Sequence, residues 1–190
     1  GDNFVTFDEI APGLPSQSHP ENLVPFSEAR LRQLAYSGSA LIAGPPEKLS
    51  LLQIKKLWPD LFYQAPNLSD VWYERVHEHF VHDDTVSPGW LVVSKSPLSA
   101  SIDGSWSEQL SVVPVGQQVP NAAAITWALS AYYVARQEWL LGNQVRARLS
   151  SVDGRGEHIY TFLIQGRLFY SGYWDSSGGT SIIPVQLIND

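Results

Sequence analysis

The stretch VPNAAAITWALSAYYVARQEWLLGNQVRARLSSVDGRGEHIYTFLIQGRLFYSGYW, Val119 to Trp174, decides the fold. A helix opens at Pro120 or Asn121, and Gly142 and Asn143, which tolerate left-handed backbone, predict its end near Leu141. Its polar positions Thr126, Ser130 and Gln137 share one narrow stripe at helical spacing, so most of the circumference is apolar and must be covered on more than one side. After it, Val145, Ala147 and Leu149 alternate with Arg146 and Arg148, as in a strand with one buried face. Asp153-Gly154 signals a hairpin, HIYTFLI a second strand, Gln165-Gly166 another turn and RLFYSGYW a third strand, which together make an antiparallel meander. With tight turns, Phe162 and Phe169 stand opposite each other on one face, and Leu163, Leu168 and Tyr170 gather on the other. Both faces then need a cover, or one is a recognition patch. SIIPVQLI, Ser181 to Ile188, predicts a fourth strand that Pro184 would place at an edge.

Upstream, Ser27 suits a helix cap ahead of Ala29, Leu31, Leu34 and Ala35, and Gly38 stops that helix. ALIAG, Ala40 to Gly44, suits a buried strand or a connector. Ser50 with Gln53, and Ser105 with Glu108, are capping-box patterns, the first opening a helix closed by Pro59 and the second a short helix from Trp106 to Val112. WLVVSK reads as a strand, whereas WYERVHEHFVH fits helix and strand equally. Pro12, Pro15, Pro20 and Pro25 punctuate a start without sustained periodicity. The expectation is one α+β domain over 1–190: an extended arm over 1–25, a helical layer over 26–70, and an antiparallel meander packed by the long apolar helix within 71–190.

A hydrophobic fraction of 44%, with seven Trp, eight Tyr and seven Phe, belongs to a folded chain. The net charge of −7 opposes the counterion release that drives nucleic-acid binding, so such a partner is disfavoured. Lys48, Lys55 and Lys56 form the densest basic group and read as the wet face of one helix. Without cysteine there is no disulfide framework, thiolate nucleophile or cysteine-bearing metal site. AAAITWALSAYYVA is too short for a membrane span, the first residues lack a basic and apolar leader, and a cytoplasmic location is the expectation.

Gly89-Trp90, SWSEQ at Ser105 to Gln109, VPNA at Val119 to Ala122, the helix with Tyr133, VRARLSSVDG and YWD at Tyr173 to Asp175 follow one another in a recognisable order. Over roughly Trp72 to Asp175 the chain resembles an uncharacterised family of bacterial and phage-associated proteins. It departs from that pattern around Thr161 to Ile164, where a glycine usually follows the second meander strand. The resemblance implies bacterial or phage origin. The family carries no established activity, so no catalytic role transfers.

For chemistry, HEHFVHDD offers His77, His79, His82 and Asp83, imidazoles beside a carboxylate, a set that suits zinc, iron or manganese and a metal-activated water. The same residues suit a solvated turn before Pro88-Gly89, because no histidine pair has the spacing of HExxH. Arg146 and Arg148 on one side of a strand suit a carboxylate or phosphate, and Tyr170 and Trp174 suit stacking on a partner or packing in the sheet. No GxSxG elbow or phosphate-binding loop occurs. The leading expectation is a non-catalytic binding or interaction module with a protein or small-molecule partner and cofactor left open; the alternative is a metal-dependent hydrolase centred on His77, His79, His82 and Asp83.

Overall fold

The computed structural model describes residues 3–14, 24–64, 72–75, 77–172 and 179–188. Strand β1 (Phe4–Val5) runs parallel to β2 (Ser39–Ala43), with Phe4 opposite Leu41 and Val5 opposite Ile42. Helix α1 (Phe7–Ile10) follows β1, and Val5, Phe7 and Ile10 are all fully buried. Residues 3–14 of the expected surface arm are thus built into the core, because an edge pairing gives their backbone groups partners. Residues 15–23 of that arm lie outside the described residues.

Helix α2 (Glu28–Tyr36) begins as expected, with the Arg30 amide donating to Ser27 Oγ at 3.3 Å, and Gly38 at φ +71° turns the chain into β2. Ala40 to Ala43 are buried on both faces, so ALIAG is an inner strand and 26–70 is more than a helical layer. Strand β3 (Leu49–Ser50) leads into α3 (Leu51–Leu57) through the Ser50–Gln53 capping box, the Ser50 amide donating to Gln53 Oε1 at 2.7 Å. WYERVHEHFVH forms neither one helix nor a strand. It makes two single turns, α4 (Trp72–Arg75) and α5 (Phe80–Asp83), on either side of a left-handed His77 at φ +53°. Strand β4 (Thr85–Val86) then pairs antiparallel with β3, and β5 (Trp90–Ser94) antiparallel with β2. The Ser105–Glu108 box opens α6 (Trp106–Ser111).

Helix α7 (Ala122–Arg136) is capped by Asn121, whose side-chain oxygen accepts from the Ala124 amide at 2.8 Å. Every residue from Ala122 to Tyr132 is buried. The helix stops five residues before the expected end, because Gln137 takes the left-handed conformation and its side chain donates to the Tyr133 and Val134 carbonyls. Trp139, Leu140 and Leu141 continue the apolar pattern as an irregular segment, with the Trp139 ring 4.5 Å from that of Tyr133.

The meander forms as predicted from β6 (Ala147–Val152), β7 (His158–Ile164) and β8 (Arg167–Gly172), with Phe162 opposite Phe169 and Leu163 opposite Leu168. Gln165 and Gly166, both at positive φ, make a two-residue turn. The Asp153-Gly154 connection is longer: the Asp153 amide donates to the Glu157 carbonyl, and Asp153 Oδ1 accepts from the amides of Arg155 and Glu157. SIIPVQLI is not one strand. Pro184, without an N–H, separates β9 (Ser181–Ile182), parallel to β6, from β10 (Val185–Ile188), antiparallel to β5. The chain therefore steps from one sheet, β8-β7-β6-β9, to the edge of the other, β1-β2-β5-β10.

Between the two sheets α7 holds polar anchors to each. The Trp127 indole donates to the Ala43 carbonyl at 2.8 Å, and the Thr126 hydroxyl bonds the Tyr170 hydroxyl. On the outer edge of β8, the carbonyls of Gly166, Leu168 and Tyr170 accept from the Trp139 indole (2.9 Å), the Tyr63 amide (2.9 Å) and the Trp72 indole (2.7 Å). No described helix is long and apolar enough to cross a membrane.

Three substitutions test this packing. A Cβ on Gly44 would sit 2.9 Å from the Gly89 carbonyl oxygen and 3.0 Å from that of Ser87. Backbone atoms cannot swing away, so Gly44→Ala is expected to cost about 1–3 kcal/mol in urea denaturation. Gly142→Ala, which meets nothing within 4 Å, is expected to stay within about 0.5 kcal/mol of wild type. Asp153→Ala leaves the Arg155 and Glu157 amides without their acceptor, an expected cost of about 1–3 kcal/mol. Burial is the largest influence on the Asp153 carboxyl and pushes it up, yet the Arg155 side chain, the two amides and the guanidinium charge together hold it below its ordinary 3.8. A lowered folded value means stability present above the unfolded value and lost as pH falls through the folded one. Hence the gap between wild type and Asp153→Ala should be full at neutral pH and narrow below 3.8; a gap that stays unchanged as pH falls well below that value would refute the assignment.

Candidate functional site

The expected metal centre is not assembled. Among the described residues no three His, Asp or Glu side chains converge on a point where an ion could be held. His79 faces solvent with Asp83, Nδ1 to Oδ2 3.6 Å, and both side chains are largely exposed. The neighbouring acids serve the fold instead. Glu78 accepts from the Gly154 amide at 2.6 Å, Asp84 accepts from the Ser151 hydroxyl, and that hydroxyl in turn accepts from the Ala122 amide at the start of α7. Burial of Phe80 and Val81 fixes α5 against the core, and the polar residues around them tie the segment to the β6–β7 hairpin.

The expected binding residues scatter too. Arg148 is fully buried and donates to Gln109 Oε1 at 3.0 Å, while the Gln109 amide donates to the carbonyls of Ser101 (2.7 Å) and Thr180 (3.0 Å). Alternation on β6 therefore does not separate a dry face from a wet one, because α6 covers the side that carries Arg148. Arg146 remains exposed, its guanidinium 5.7 Å from the Phe162 ring. Tyr170 is fully buried beneath α7, and burial pushes its phenol up to about 12 against the hydrogen bonds from Thr126 and Thr161. Trp174 lies outside the described residues. The outer face of the meander has its second cover in part: Trp106 stacks on His158 at 3.7 Å, and the Tyr160, Phe162, Phe169 and Tyr63 rings follow one another at 5.4–5.8 Å.

Two of the histidines do meet other groups, in a groove of about 360 Å³ between α3 and the α4–α5 turn. Leu52 and Pro59 supply apolar surface, Lys55 and Lys56 come from the last turn of α3, and Glu74, His77 and His82 form the opposite wall. Lys55 is not on a wet face. Its amino group pairs with Glu74 and lies 5.8 Å from the Tyr73 ring centre, and its side chain is only 15% exposed. Tyr73 is buried against Tyr170 and Phe80; burial first, then Tyr170 and Glu74, push its phenol well up, so it stays neutral. Lys56, His77 and His82 are exposed, and among the described residues their side chains make no hydrogen bond or ion pair.

Sequence reasoning places Glu74 just upstream of His77 and His82 but misses Lys55 and Lys56 as their neighbours. The available signal was Leu52 with Lys55 and Lys56 at helical spacing on a helix whose cap was already recognised. Family models, curated proteins and solved structures give no match to this chain.

His77 holds a backbone conformation that costs an L-residue roughly 1–2 kcal/mol, against roughly 0.5–1 kcal/mol of chain entropy for glycine. His77→Gly is therefore expected to leave stability unchanged or raise it by up to about 1 kcal/mol, and His77→Val to lower it by a similar amount. Equilibrium urea denaturation checks both. A His77→Gly variant clearly less stable than wild type would mean that the imidazole serves the fold.

Proposed function

We propose that the protein is a non-catalytic binding module that takes its ligand in the groove between α3 and the α4–α5 turn. The observation that carries this reading is how the groove's polar groups are spent. Among the described lining residues the one carboxylate, Glu74, is held by Lys55, and none carries a hydroxyl or thiol. Catalysis built on a histidine base calls for an imidazole oriented by a partner, and among the described residues the side chains of His77 and His82 make no hydrogen bond. What the lining does offer, a concave apolar surface with a few convergent polar groups, is the chemistry of recognition.

The metal-dependent hydrolase is not carried further, since Glu78, Asp84 and Glu74 are committed to Gly154, Ser151 and Lys55. Fragment screening by amide-resolved NMR tests the binding reading on the intact chain. Bound fragments should shift resonances at Leu52 to Pro59 and Glu74 to His82, and Leu52→Arg, which fills the groove, should abolish those shifts with the rest of the spectrum unchanged. Shifts confined to another surface, or turnover of a fragment, would overturn it.

A further inference from the structure

We infer that the occupant of the α3–α5 groove is a monoanionic amphiphile, an apolar body carrying a single carboxylate; this rests on the binding reading above. The chain as a whole is acidic, with 19 Asp and Glu against 12 Lys and Arg. The groove has the opposite balance: two lysines and two histidines face one carboxylate. Within it the charges divide cleanly. Lys55 and Glu74 compensate each other and, held by the Tyr73 ring, form a fixed part of the wall. That leaves Lys56 as one full positive charge, with the His77 and His82 rings as N–H donors beside it.

This inventory selects the ligand's head. A cation would meet Lys56, and the one carboxylate among the described lining residues, Glu74, is already paired with Lys55. A dianion such as a phosphate monoester would bring a second charge against a single uncompensated lysine, next to the carboxylate of Glu74. A carboxylate matches one lysine and can accept from two imidazoles at once. Leu52, Pro59 and the methylene stem of Lys56 select the body, since an uncharged apolar group is what they can cover without stranding a polar atom. A volume near 360 Å³ stands at the small end of ligand sites, so the body is compact.

The test uses the whole protein and matched triplets of ligands: a carboxylate, the corresponding primary alcohol and the corresponding ammonium, on linear, branched and aromatic apolar bodies. Binding is followed by NMR shifts at Leu52 to Pro59 and Glu74 to His82. At least one carboxylate should bind there about tenfold more tightly than its alcohol, and its ammonium should not bind. Its affinity should fall with added salt, whereas the alcohol's should not. Lys56→Gln and His82→Gln should each weaken the carboxylate by about twofold to fivefold, as exposed charge partners do, and leave the alcohol unchanged. Alcohols binding as tightly as acids, or ammonium forms binding better, would refute the charge assignment and keep the groove as a binding site. If no member of any triplet shifts these residues, both the ligand class and the binding reading fall.

Discussion

Everything in this fold answers to the enclosure of α7. A helix apolar around most of its circumference cannot lie on a surface, and from Ala122 to Tyr132 no side of it meets water. Five alanines in that run keep its girth small, so sheet and helix backbones approach it closely. Two of its polar contacts, Trp127 to the Ala43 carbonyl and Thr126 to the Tyr170 hydroxyl, reach opposite sheets. At its far end Arg136 pairs with Glu9 at 2.8 Å and donates to the Phe4 carbonyl, which fastens β1, the outermost strand of its sheet. Supply of a sheet on either side, with α1, α3 and α5 closing the gaps, is the consequence.

Sheets that flank a helix have edges, and an open edge invites pairing with another chain. Here tryptophan does the closing. The indoles of Trp72 and Trp139, with the Tyr63 amide between them, occupy the Tyr170, Gly166 and Leu168 carbonyls along the outward edge of β8 and the turn before it. An indole suits the task because its N–H meets one carbonyl while its ring buries apolar area alongside. Trp72 also packs against Tyr73 and Phe80, so edge closure and the wall of the α3–α5 groove are parts of one aromatic cluster.

What could be read from the sequence was local: the caps at Ser27, Ser50, Ser105 and Asn121, the stop at Gly38, and the meander's pairing of Phe162 with Phe169. These depend on residues within a few positions of each other, or on a two-residue turn that sets register. What escaped depends on the other sheet. Gln137 ends α7 although Trp139 to Leu141 stay apolar, since burial continues without the helix. Arg148 is buried because Gln109, 39 residues away, accepts from it. Ser181 to Ile188 splits because Ser94 offers its amide to the Pro184 carbonyl and draws the second half to β5. The groove was legible only as half of itself. His77 and His82 stood out by composition, but the lysines opposite them are contributed by a helix some 20 residues upstream, and nothing in the spacing joins the two.

The placement of that groove follows from the same forces. A single helix over Trp72 to Asp83 would have carried Glu74, Glu78 and the histidines outward together as one mixed, solvated face. The left-handed step at His77 prevents it, and Glu78 then reaches the Gly154 amide while Phe80 and Val81 turn into the core. Glu74, Glu78 and Asp84 are each held by a structural bond, to Lys55, the Gly154 amide and the Ser151 hydroxyl, whereas Lys56 has no ion pair among the described residues. The cationic character of the groove lining therefore follows from folding: Glu74 is tied to α3 and Glu78 and Asp84 to the β6–β7 hairpin, while Asp83 stays with His79 in solvent, outside the lining. A lining formed in that way has its charge set by the contacts that hold the fold, so freeing Glu74 from Lys55 would loosen the α4–α5 turn from α3.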